Sequence, residues 1–140
     1  MSESFEGVER GDGWSVANLD DLGQGPGFRK IRTALGVNAF GVNAIVLPPG
    51  YTTNNHFHDE QEELYFVHSG RIAIEFGDGS VQEMDPGGVA WVDAPTLRRL
   101  RNLSDSEEAV YVCVGGKDGY VGRDGRLPEG ETDPRGPISG

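Results

Sequence analysis

The sequence predicts an all-β fold, a sandwich or barrel of short strands. Roughly nine or ten short stretches read as strands, and a turn signal closes nearly every one. No stretch makes a convincing helix. Twenty-two glycines and eight prolines in 140 residues supply the turns that so many short strands require.

Taken in order, residues 1–13 are polar and read as a loose N-terminal segment. Residues 14–19, Trp-Ser-Val-Ala-Asn-Leu, read as a first strand, and 20–27 as a loop closed by Gly-Pro-Gly. Residues 28–32 alternate as a short strand, whereas 33–37 fit neither class. The apolar, β-branched run 38–47 is a strand that Pro48-Pro49-Gly50 must stop, because proline lacks the donor a ladder needs. Strands over 63–68 and 71–76 meet at Ser69-Gly70, and Gly77-Asp78-Gly79-Ser80 is a hairpin turn. Strands over 81–84 and 89–92 flank Asp85-Pro86-Gly87-Gly88, and strands over 97–103 and 109–114 complete the set. Beyond 115 the composition shifts to Gly, Pro and charge, with a pseudo-repeat of Asp-Gly turns at 116–119 and 122–125. The organisation is therefore a flexible segment 1–13, a barrel 14–115 and a Gly/Pro-rich tail 116–140.

Composition bounds the function. Twelve basic and twenty-three acidic residues give 12 − 23 = −11, which disfavours nucleic acid and anionic membranes. One cysteine, Cys113, permits no intrachain disulfide, and its apolar setting predicts a buried structural thiol. The N-terminus has no signal-peptide pattern and no apolar run approaches a membrane span, so a cytoplasmic location is expected.

Chemistry concentrates between Gly50 and Gly70. His56 and His58 stand two apart, so on a strand their side chains share one face. Glu63 follows, and two imidazoles with a carboxylate suit Fe, Mn, Ni or Zn while leaving coordination positions open. The intervals run Gly50, five residues, His56-x-His58, four residues, Glu63, six residues, Gly70. This pattern resembles the first signature motif of the cupin superfamily position by position. Glu62 is the rival carboxylate, but only Glu63 keeps the six-residue interval to Gly70.

The resemblance implies a small single-domain cupin, a double-stranded β-helix or jelly-roll barrel. It implies that His56, His58 and Glu63 sit at the positions of cupin metal ligands, and that the chain forms a homodimer. A second cupin motif usually supplies a fourth ligand, a histidine, four residues before an asparagine. Anchored on Asn102, that position is Arg98, which has no lone pair to donate. Either Arg98 pairs with Glu63 and removes the need for a metal, or a metal is held on one side while Arg98 clamps an acidic ligand. Tyr65 shares the parity of Glu63 and is a second candidate for binding substrate, or else a core aromatic. His68 has the opposite parity and is expected at the surface, as are Arg99 and Arg101, whereas Trp91 is expected in the core.

Two functional classes follow from the resemblance. One is a metal-dependent enzyme of the dioxygenase or isomerase class, acting on a small acidic metabolite. The other is a metal-free, non-catalytic module that binds such a molecule.

Overall fold

The structure is a computed structural model that describes residues 6–129. The outermost parts of the two expected tails, 1–5 and 130–140, lie outside the described residues. Twelve strands appear among them: β1 (Glu9–Gly11), β2 (Trp14–Val16), β3 (Gly27–Arg29), β4 (Gly41–Leu47), β5 (Phe57–His58), β6 (Glu62–Ser69), β7 (Ile72–Phe76), β8 (Val81–Met84), β9 (Val89–Val92), β10 (Arg98–Asn102), β11 (Ala109–Gly116) and β12 (Gly125–Arg126). One 3-10 turn, Leu19–Asp21, and one short helix, α1 (Ile31–Leu35), interrupt them.

The strands build a five-stranded sheet ordered β3-β4-β11-β6-β9 and a three-stranded sheet ordered β10-β7-β8, with the pairs β1-β2 and β12-β5 beside them. Every pairing is antiparallel. The expected jelly-roll, double-stranded β-helix architecture is the one observed. Burial alternates with strict period two along β6 through Val67, along β10 and along β11. That alternation turns Tyr65, Val67, Leu100, Ala109, Tyr111 and Cys113 inward, where they pack with Leu47, Ile72, Ile74, Met84 and Val92. Cys113 is thus a buried thiol, as its apolar setting predicts.

Three local expectations need correction. The ambiguous stretch at 33–37 belongs mostly to α1, a helix too short for an apolar period to show; Gly36 ends it in the left-handed region at φ 80°. The strand expected over 14–19 starts at Trp14 but ends at Val16, and a further strand precedes it within the segment expected to be loose. Residues 9–11 fold back on 14–16 as a hairpin, anchored to α1 where Arg10 Nη2 and Ser15 Oγ donate to the Ala34 and Leu35 carbonyls. Trp91 is not in the core: it is 62% exposed, because its register partner Leu64 lies on the outer face of β6.

The turn residues behave as read. Gly70 sits at φ 80°, and a Cβ there would lie 2.7 Å from that of Ala109, so only glycine lets β6 turn into β7 against β11. In the 77–80 turn only Gly79 takes a positive φ; Asp78 instead accepts from the Ser80 amide and hydroxyl.

Candidate metal centre

The ladder geometry delivers three side chains to one place. His56 exchanges both backbone hydrogen bonds with Arg98, at 2.9 Å each, and His58 N donates to the Ala94 carbonyl at 2.8 Å. These bonds hold the segment extended, so His56 and His58 point inward while Phe57 between them does not. The two imidazoles meet edge to face with centroids 5.2 Å apart. Glu63 enters from β6, buried like both histidines. One ligand atom from each of the three lies within 4.8 Å of the other two.

Arg98 enters from β10 and is fully buried. Its Nη2 donates to Glu63 Oε1 at 2.9 Å, its Nε to the Tyr65 hydroxyl at 3.2 Å, and its Nη1 to the Thr96 carbonyl at 2.7 Å. Tyr65 in turn donates to Glu63 Oε1 at 2.6 Å. Cys113 Sγ and Gln61 Nε2 approach the other carboxylate oxygen at 3.1 and 3.4 Å. Both sequence candidates for substrate contact therefore address Glu63. His68 lies exposed on the outer face of β6, as parity predicts, and Arg99 and Arg101 are exposed beside Glu75.

Sequence reasoning missed Asp124. It comes from the segment after Gly116, where β12 pairs with β5, and its Oδ1 lies 2.8 Å from His58 Nδ1. Its Oδ2 accepts from the backbone N–H groups of Glu60 and Gln61. No local signal announces it, since an Asp-Gly pair reads as a turn.

These contacts assign protons. Burial opposes ionisation of Asp124, but the Gln61 and Glu60 amides and His58 outweigh it and hold its carboxyl below the usual value. An ionised carboxylate only accepts, so the hydrogen between Asp124 and His58 sits on Nδ1. Gln61 Nε2, 3.0 Å from the same nitrogen, is then a close neighbour and not a donor to it. His56 Nδ1 faces the Asn54 carbonyl at 3.1 Å, which again requires the hydrogen on Nδ1. In the neutral rings both Nε2 atoms therefore carry lone pairs, and both face Glu63 Oε1, at 4.0 Å from His56 and 3.1 Å from His58.

Burial opposes ionisation of Glu63 too. The nearby His58, then Arg98 and Tyr65, nonetheless hold its carboxyl well below the usual carboxylate range. Burial pushes His56 down to about 4. At His58 burial acts the same way but is outweighed by Glu63 and Asp124, so its value rises. His58 Nε2 is buried and makes no well-directed hydrogen bond despite its 3.1 Å approach to Glu63. Two lone pairs turned on an anionic oxygen suit a shared cation, and the donor types are those of a first-row divalent metal. The residues present fit such an ion.

The described residues thus form an antiparallel β-barrel that gathers a buried His-His-Glu group able to hold a metal ion. A family model describing the cupin domain matches residues 44–115, and the chain belongs to that family. No curated protein sequence matches the chain. Among solved structures, a sugar phosphate isomerase of the cupin superfamily from Silicibacter pomeroyi is 30% identical, with a TM-score of 0.54, over 76% of this chain and 60% of its own. A chain from the crystal structures of the DMSP lyases RdDddP and RnDddQII superposes with a TM-score of 0.63 at 19% identity, over 83% of this chain and 62% of its own. A double-stranded β-helix protein from Klebsiella pneumoniae is 22% identical, with a TM-score of 0.54, over 59% of this chain and 70% of its own. Among the described residues no helix is long and apolar enough to cross a membrane.

Proposed function

We propose that the chain is a metal-dependent cupin enzyme. In this reading His56 Nε2, His58 Nε2 and a Glu63 oxygen hold one divalent transition metal, and the substrate is a small acidic molecule. The observation that carries the reading is His58 Nε2, a buried ring nitrogen without a well-directed hydrogen bond, facing a carboxylate oxygen at 3.1 Å.

Bound there, the metal supplies Lewis acidity and open coordination positions to a substrate oxygen. The protein's own part is electrostatic. Arg98 cancels the charge of Glu63, the imidazoles are neutral when ligating, and Asp124 behind His58 offsets only part of a divalent charge, so a net positive charge would remain inside the barrel. An anionic substrate answers that charge. Arg98 acts through this field, its guanidinium held by Glu63, Tyr65 and the Thr96 carbonyl. The 30% identity to a sugar phosphate isomerase favours isomerisation of an anionic metabolite over oxygenation.

Metal analysis of protein purified without chelator tests the reading. Near-stoichiometric metal is expected in the wild type and none in His56→Ala. The 2.9 Å pair of Arg98 with Glu63 favours a second reading, a metal-free binding module, because it neutralises the carboxylate unaided. That reading expects no metal and a small acid retained by the purified protein.

For the assembly we propose a homodimer. Leu64, Phe66, Val89 and Trp91 are exposed side by side on the outer face of β6 and β9, an apolar patch that a second copy would cover.

A further inference from the structure

Asp124 lies outside residues 44–115, the stretch that matches the cupin domain, yet it reaches the back of His58 in the candidate site. It arrives on a strap. Gly125 pairs with His58 and Arg126 with Phe57, the Asp59 amide donates to the Asp124 carbonyl at 3.2 Å, and Arg126 Nη2 meets Asp59 Oδ2 at 2.7 Å. Arg123, immediately before it, takes the left-handed conformation at φ 50°, which a non-glycine residue adopts only at a cost. Asp124 so delivered is 5% exposed, and both of its carboxylate oxygens are engaged.

We infer that Asp124 is the positioning residue of the metal centre: it fixes the tautomer and orientation of His58, so that Nε2 presents a lone pair to the site. The inference rests on the metal-centre reading for its consequence, but its physical content belongs to the metal-free chain. The two amides on Oδ2 anchor the carboxylate from one side, which leaves Oδ1 no freedom but to accept from Nδ1. Without an acceptor there, Glu63, 3.1 Å from Nε2, and the Gln61 NH2, 3.0 Å from Nδ1, both favour the hydrogen on Nε2. That hydrogen would fill the position a metal needs. The carboxylate at the back of the ring therefore decides which nitrogen faces the front.

Asp124→Asn separates this role from simple packing. Its one amide oxygen is claimed by the Glu60 and Gln61 N–H groups, which turns the amide NH2 toward His58 Nδ1. An NH2 can only donate, so the ring must move its hydrogen to Nε2. Long-range proton–nitrogen NMR on metal-free protein with labelled histidine reads this directly. It is run near pH 9, well above the ordinary imidazole value of about 6.5. Wild type is expected as the Nδ1–H tautomer and Asp124→Asn as the Nε2–H tautomer. Arg126→Ala, which removes the strap's exposed ion pair but leaves the carboxylate, is expected to keep Nδ1–H.

Calorimetric titration with zinc alone should then show affinity about 10–100-fold weaker in Asp124→Asn and little changed in Arg126→Ala. An Asp124→Asn protein that keeps the Nδ1–H tautomer overturns the inference, and so does one whose zinc affinity equals that of wild type when wild type binds. A wild type that takes no zinc, while Asp124→Asn still reverses the tautomer, overturns the metal reading and upholds Asp124 as the group that orients His58.

Discussion

Arg98 Nη2 stands 2.9 Å from Glu63 Oε1, and neither side chain reaches solvent. The position that the family pattern gives to a fourth ligand is thus filled by a cation directed at the third. Removing one member of a buried pair strands the other, which costs about 3–5 kcal/mol, whereas replacing both with apolar side chains is often nearly neutral. Arg98→Met is therefore expected to lose about that much stability in urea denaturation with chelator present. The double variant Arg98→Met, Glu63→Met should recover most of it. Equal loss in both would mean that Arg98 stabilises the barrel through Thr96 and Tyr65 and not through Glu63.

The site's proton chemistry follows from its neighbours. His58 faces Glu63 from β6, Asp124 from the strap, Arg98 from β10 and the second imidazole of His56. The carboxylates raise its value above 6.5, whereas burial lowers that of His56 to about 4. Between about pH 5 and 6.5 the metal-free protein therefore carries one imidazole proton at the site, on His58. Metal uptake in that window should release about one proton, and the logarithm of affinity should rise by about one per pH unit before flattening above the raised value of His58. Two ordinary imidazoles would instead give a slope approaching two well below about pH 6.5. Zinc calorimetry in buffers of differing ionisation enthalpy counts the protons. The same shifts act on folding with opposite signs. His56 costs stability as pH falls from 6.5 toward 4, because the unfolded chain takes up a proton that the native chain refuses. His58 adds stability in acid, and that contribution is lost as pH rises through its folded value.

The parts of this site legible in the sequence are those that local spacing encodes. His56 and His58 share a face because a strand has period two, and Glu63 and Tyr65 share one for the same reason. Asn102 located Arg98, and its importance is visible in the structure: its amide donates to the Leu47, Pro48 and Glu107 carbonyls, tying the end of β4 to the loop before β11. What was illegible depends on pairing. Asp124 lies 66 residues from the histidine it holds, and nothing in a Gly-Arg-Asp-Gly stretch says which strand it will meet. The direction of Arg98 was equally undecided, since a guanidinium suits a ligand carboxylate as well as a protein one. Trp91 failed for a related reason. Its apolar character suggests the core, but Val92 is the residue opposite inward-facing Glu63, which leaves Trp91 opposite Leu64 on the outside.

That outward tryptophan makes a test of assembly. Trp91 is 62% exposed, Val89 64%, Leu64 43% and Phe66 41%, and the register sets Trp91 beside Leu64 and Val89 beside Phe66. A polar contact borders the patch, the bond from Trp91 Nε1 to Glu62 Oε1 at 3.1 Å. A net charge of −11 keeps separate copies apart in solution, so association must come from apolar burial and should strengthen with salt as that repulsion is screened. Sedimentation velocity at micromolar concentration is expected to show a dimer that tightens between low and moderate salt. Trp91→Glu should sediment as a monomer with unchanged far-ultraviolet dichroism, because the side chain contributes nothing to the core. A wild-type monomer at every salt concentration, or a dimer indifferent to Trp91→Glu, would remove this face from the assembly.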